Sequence, residues 1–171
     1  MSNYAPRFIT PPEMVDTPYP VIFLAGPIQG APIWQPEAAD FILPEIDEAT
    51  VASPRKDYGP GQFVYEKQVD WESRYLREAG RTGVVLFWLA NQAEETPGRS
   101  YAQTTRFELG EWKTRHEYEG AWLSVGIDSE FGNGRYIRRR LGQDCPGIPI
   151  AETLEEACLN AIELLNRRRI N

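Results

Sequence analysis

Apolar and polar positions alternate along this chain in two different rhythms. Pro20 to Ala25 is a short, wholly apolar run that ends at Gly26-Pro27. Val84 to Ala90 is a second such run, and the strongest one in the chain. Continuous runs of this length are the signature of strands buried on both faces, as in a parallel sheet. Weaker strands are predicted at Thr50–Pro54, Ala121–Val125 and Ile148–Ile150. Between them the period changes. Trp34–Ile46, Tyr65–Ala79, Thr105–Glu117 and Thr153–Arg169 read as helices. The last carries Leu154, Ala157, Cys158, Ala161, Leu164 and Leu165 in one stripe. Asn91–Gln103, rich in Glu, Gly, Pro and Ser, reads as a loop. Strands alternating with helices predict an α/β fold, a parallel sheet with helices on both faces. Ligands of such sheets bind beyond the carboxyl ends of the strands. In this chain that edge carries Gly26-Pro27-Ile28-Gln29-Gly30, the 91–103 loop and the start of the next helix.

Residues 1–19 read as a Pro-rich, extended arm, suited to neither helix nor central strand because proline fixes φ and removes a donor. Residues 20–171 read as one domain. With 171 residues the chain can bury roughly 70% of its unfolded surface without metal or disulfide staples. A net charge of −7 speaks against broad binding to nucleic acid or an anionic membrane. The triplets Arg138-Arg139-Arg140 and Arg167-Arg168-Arg169 are read as solvated helix ends. The first twenty residues hold five prolines and no apolar signal region, and no apolar run could span a bilayer, so a cytoplasmic location is expected. Cys145, Cys158 and the lone His116 do not have metal-ligand spacing; neither a metal nor another cofactor is expected. Histidine-based nucleophilic catalysis would have to use His116, in a polar helical stretch.

Candidate chemistry falls at three places. Ala25, Gly26, Pro27 and Gln29 follow the first strong strand. They form either a plain tight turn or a backbone that approaches a ligand closely. The stretch is neither G-x-G-x-x-G nor a P-loop. Thr105 and Glu108 have the spacing of a capping box, so Glu108 either ties off a helix start or stands there as an ionised nucleophile favoured by the helix dipole. Glu72 shares a helical stripe with Val69, Leu76 and Ala79, whereas Asp70 points to the opposite side. Glu72 either rims the sheet edge in water or sits in a pocket with a raised pKa. Trp88 is either core or a platform that stacks a base.

Three segments in this order resemble the nucleoside 2-deoxyribosyltransferase superfamily, especially its divergent deoxyribosyltransferase-like branch. They are Val21-Ile22-Phe23-Leu24-Ala25-Gly26-Pro27, Trp71-Glu72 with Leu76 and Ala79, and Thr104-Thr105-Arg106-Phe107-Glu108-Leu109-Gly110. The resemblance covers about residues 20–125. It implies a flavodoxin-like, five-stranded parallel sheet and a homo-oligomer whose sites are completed by a neighbouring subunit. It implies that Glu108 attacks C1′ of a nucleoside and holds a glycosyl ester. Glu72, with Asp70 as fallback, protonates the departing base. The ester is then released to a second base or to water, with a nucleoside or nucleotide as the small-molecule partner. Where relatives hold the sugar 5′ end with Asp or Ser, this chain has Ala102, with Ser100 and Gln103 nearby. Ala25, Gly26, Pro27, Gln29, Trp88, Ser100, Gln103 and Thr105 are the expected substrate contacts. Asn133, in the 126–141 segment, is the expected reach towards a neighbour. The alternatives on the same residues are a nucleoside 5′-monophosphate N-glycosidase, which Ser100 or an arginine in the pocket would favour, and a non-catalytic nucleotide sensor.

Overall fold

The computed structural model describes residues 7–170. Six parallel strands form one sheet: β1 (Phe8–Ile9), β2 (Val21–Ala25), β3 (Thr50–Ala52), β4 (Val84–Leu89), β5 (Leu123–Ile127) and β6 (Ile150–Ala151). Their order across the sheet is β1-β3-β2-β4-β5-β6. Without β1, the remaining five strands follow the flavodoxin order 2-1-3-4-5. The fold is α/β and flavodoxin-like, with one strand more than the five expected. The extra strand comes from the proline-rich arm, where Phe8 pairs with Val51 and Ile9 with Ala52. Only an edge position suits such a segment, because just one of its sides needs backbone donors.

Strand parity assigns the core to two layers. Val21, Phe23, Ala25, Val85, Phe87 and Leu89 face one side. There they meet Trp71, Tyr75, Leu76 and Ala79 of α2 (Tyr65–Thr82), Leu109 and Trp112 of α3 (Gln103–Glu119) and Leu141 of α4 (Gly134–Asp144). Ile22, Leu24, Val84, Leu86 and Trp88 face the other side. They pack on α1 (Gln35–Glu45) and α5 (Leu154–Ile170) through Ala38, Ile42, Ala157, Ala161 and Leu165. Cys145 and Cys158 are both buried thiols in opposite layers, which keeps them apart. Burial pushes the Cys158 thiol up to about 12. No helix among the described residues is long and apolar enough to cross a membrane.

The arm is bound rather than free along residues 7–17. The Trp71 indole N–H donates to the Glu13 carbonyl (3.0 Å), and the Val15 N–H donates to the Tyr75 hydroxyl (2.8 Å). Thr17 donates to Glu78 (2.6 Å), and Asp16 pairs with Arg74 (2.7 Å). The arm thus lies as a strap across α2. Helix α4 has no counterpart among the predicted elements. Its apolar residues are too few to show a stripe, since Leu141 and Gly134 are the only residues it buries.

Candidate active site

The carboxyl ends of β2 and β4, where the strand order reverses, open onto a cavity of about 490 Å³. Its floor is Phe23 and Ala25, on the α2–α3 side of the sheet. Gly26 sits where a Cβ would lie 2.4 Å from the Trp88 carbonyl oxygen and 2.6 Å from the Trp34 indole. The Trp34 N–H in turn donates to the Pro27 carbonyl (3.0 Å). The turn is therefore more than a bend: only a hydrogen side chain allows the chain to leave β2 at this angle. The Gly30 carbonyl, on a residue with φ +75°, accepts the N–H groups of Ala93 (2.8 Å) and Glu94 (3.0 Å). That seam closes the loop after β4 onto the loop after β2. Tyr101 closes it further by donating to the Ala90 carbonyl (2.8 Å).

Glu108 stands in the wall on α3. The helix starts earlier than the capping-box spacing suggests, at Gln103, with Ala102 at the N-cap in the left-handed region (φ 56°) and no side-chain cap. Glu108 is therefore in the second turn. It caps nothing, and it lies beyond the first turn, where the helix dipole is felt. The expectation of a dipole-ionised carboxylate is corrected accordingly. Burial pushes the Glu108 carboxyl up to about 8, with the charges of Glu72 and Glu111 adding to the shift.

Glu72 faces the same cavity from α2. Its carboxyl is also raised by burial, opposed by one hydrogen bond from Gln68 Nε2 (2.7 Å). The cavity thus brings together two carboxyl groups from different helices, both raised by burial, with the charge of Glu72 adding to the shift of Glu108. Burial of this kind keeps a carboxyl protonated into a range in which free carboxyls are ionised. Among the described residues Arg99 is the only cationic side chain in the lining, and it donates a hydrogen bond to Gln29 Oε1.

Of the expected contacts, Ala25, Gly26, Pro27, Gln29, Ser100, Gln103 and Thr105 all line this cavity. Trp88 does not. It is an even-numbered position of β4 and points into the α1–α5 layer, with its ring against Gly126. Asp70 is exposed and outside the lining, as the helical phase predicts. Asn133 is also outside; it is the N-cap of α4, at φ 62°. The segment around it works as a buttress. Arg106 donates to the Gly132 carbonyl (2.6 Å) and lies over the Phe131 ring (4.4 Å), which fixes the start of α3. His116 is at the far end of α3, where its Nδ1 meets the Ala121 carbonyl (2.7 Å).

Gln68, Arg99, Phe63, Tyr65 and Tyr101 also line the cavity and are absent from the expected contacts. Gln68 carries a readable signal, because it lies four residues before Glu72 on a helix and so on the same face. Phe63 comes just ahead of that helix and Tyr65 opens it, and both are more than half exposed, an unusual state for large rings. Fold and cavity together define an α/β protein with a two-carboxyl site at the switch point of its sheet. No family model matches the chain, and no curated protein matches it.

Proposed function

We propose that the protein cleaves or exchanges the N-glycosidic bond of a 2′-deoxynucleoside, as a nucleoside deoxyribosyltransferase-like enzyme. The observation that carries this reading is that two carboxyls from different helices, Glu72 and Glu108, line one cavity and are both raised by burial. One shared proton supplies both an anion and an acid, the two forms that glycosyl transfer with retention requires. A glycoside bound with C1′ beside Glu108 develops positive charge there, which draws the proton of the pair onto Glu72. A Glu108 oxygen then forms a bond to C1′ as the C1′–N bond breaks. The bonding electrons leave with the base nitrogen, which takes the Glu72 proton. In the second half, Glu72 removes a proton from an incoming base or water, whose lone pair attacks C1′ and releases the Glu108 carboxylate. Phe63 and Tyr65, exposed at the rim, offer rings on which a base can stack.

The test is incubation with a panel of 2′-deoxynucleosides and excess free adenine, with products resolved by chromatography. New deoxyadenosine is expected, reduced on the order of 10³-fold or more in Glu108→Ala. Free base without new nucleoside selects hydrolysis. Ligand binding with no base release, retained in Glu108→Ala, overturns catalysis in favour of a nucleotide sensor.

A second reading, a nucleoside 5′-monophosphate N-glycosidase, is supported by Arg99 as the one cation in the lining, beside Ser100 and the uncapped first turn of α3. Backbone N–H groups and a guanidinium suit a phosphate. Arg99→Ala should then raise KM about tenfold for 5′-monophosphates and leave it unchanged for nucleosides. Equal effects on both overturn this reading. A homo-oligomer belongs to the same proposal. Phe107 and Tyr118 of α3 are each at least 75% exposed, a state that contact with another subunit relieves. Light scattering on a sizing column measures it.

A further inference from the structure

We infer that Gln68 is a positioning residue that fixes which oxygen of Glu72 carries the acid proton and aims that proton into the cavity. The inference rests on the two-carboxyl reading of the site and assigns it a part beyond the reacting groups. One amide side chain meets three partners. Gln68 Nε2 donates to the Pro54 carbonyl (2.9 Å) and to Glu72 Oε1 (2.7 Å), while Gln68 Oε1 accepts from the Tyr58 hydroxyl (2.6 Å). A carbonyl can only accept, so Pro54 settles which end of the amide is the NH₂. Flipping it would set an oxygen against the Pro54 carbonyl and the Glu72 carboxyl together. The amide therefore holds one orientation, and Glu72 Oε1 always receives an N–H.

An oxygen that accepts this bond is the carbonyl-type oxygen of the protonated acid, which leaves the proton on Oε2. Glu72 alone, on a helix side chain with three rotatable bonds, has no such preference. The anchor is also well founded. Pro54 lies two residues past the buried end of β3, and the Tyr58 ring packs edge-on against Phe63 (5.4 Å). The acid is thus tied through one side chain to the sheet and to the aromatic rim. The other ionisable groups around it are Tyr58 after β3, Glu108 on α3, Arg99 and Tyr101 after β4, and Tyr65 on α2 itself.

Gln68→Met keeps the length of the side chain and removes all three polar contacts. Gln68→Asn, one methylene short of Glu72, serves if the methionine variant fails to fold. Two readouts decide the matter. The first needs no substrate: the carboxyl carbon of Glu72 is titrated by NMR in ¹³C-glutamate-labelled protein, with the signal assigned by its loss in Glu72→Gln. Loss of an N–H that favours the ionised form should raise the Glu72 titration by about one pH unit. The second compares two leaving groups. Deoxyadenosine, which needs a proton on departure, should lose about tenfold in kcat with KM little changed, and its alkaline pH limb should move upward. A 2′-deoxynucleoside of N7-methylated guanine, whose base is already cationic, should lose little. Equal losses on both substrates, or a Glu72 titration that stays where it is in the folded variant, overturn the inference. If the unaltered protein turns over no nucleoside, the proposed function fails, and the titration still decides whether Gln68 governs Glu72.

Discussion

Replacing Glu108 with glutamine should make the protein more stable at neutral pH while abolishing its chemistry. The carboxyl has an ordinary value of 4.5 and is raised to about 8 in the folded state. The folded chain therefore binds more protons than the unfolded chain between those values, and stability falls as pH rises through that window. At pH 7 the unfolded carboxyl has ionised and the folded one is still mostly protonated. At about 1.4 kcal/mol per unit, the mismatch from 4.5 to 7 costs about 3 kcal/mol. Glutamine keeps the shape and carries no proton to lose, so this cost disappears. Below pH 4.5 both chains hold the proton, and the advantage of the variant should vanish. The assay is urea denaturation of both proteins at several pH values from 4 to 8. A gain of about 3 kcal/mol at pH 7 corresponds to a rise of roughly 6–12 °C in Tm for a chain of this size. The reasoning is refuted if the stability difference between Glu108→Gln and the parent is the same at every pH, because a penalty on the ionised carboxyl must follow its titration.

Gly26→Ala should destabilise the fold by about 1–3 kcal/mol, because its Cβ meets the Trp88 carbonyl at 2.4 Å, backbone that cannot move aside cheaply. Urea denaturation measures this, and a neutral effect would show that the turn has slack. Trp88→Phe should cost about 1–3 kcal/mol of stability for the volume removed from the α1–α5 layer and leave KM for nucleosides unchanged. A rise in KM would return Trp88 to the binding site. Asp70→Asn should keep turnover within about twofold, as expected of an exposed side chain outside the cavity, and a loss of 10²-fold would make it a catalytic acid.

Five of the six described strands and their order of appearance are legible in the sequence because burial on both faces leaves an unbroken apolar run, as in Val84–Leu89, whereas β1 is hidden in the proline-rich arm. The same run hides its parity. Which of Phe87 and Trp88 looks towards the site depends on the face that α2 covers, and both residues are equally apolar. The role of Glu108 was obscured for a related reason. Thr105-x-x-Glu108 satisfies the capping pattern, but a left-handed Ala102 starts the helix two residues sooner, and no local preference of alanine predicts that conformation. Glu72 and Asp70 separate correctly on helical phase alone, since 100° per residue needs no tertiary information. Gln68 has the phase but not the context: its value lies in Pro54 and Tyr58, contributed by a different stretch of chain.

The strap of residues 7–17 also bears on the timing of folding. Its partners lie far ahead in the chain, from 36 residues on, where Arg7 meets the Leu43 carbonyl, to 61, where Thr17 meets Glu78. During synthesis it is made before its partners, and it must wait uncommitted until β3 and then α2 have emerged. Prolines at 11, 12 and 18 suit that interval, because a stretch short of backbone donors is a poor template for premature strand pairing. The helix that holds Glu72 is therefore clamped by a segment made well before it.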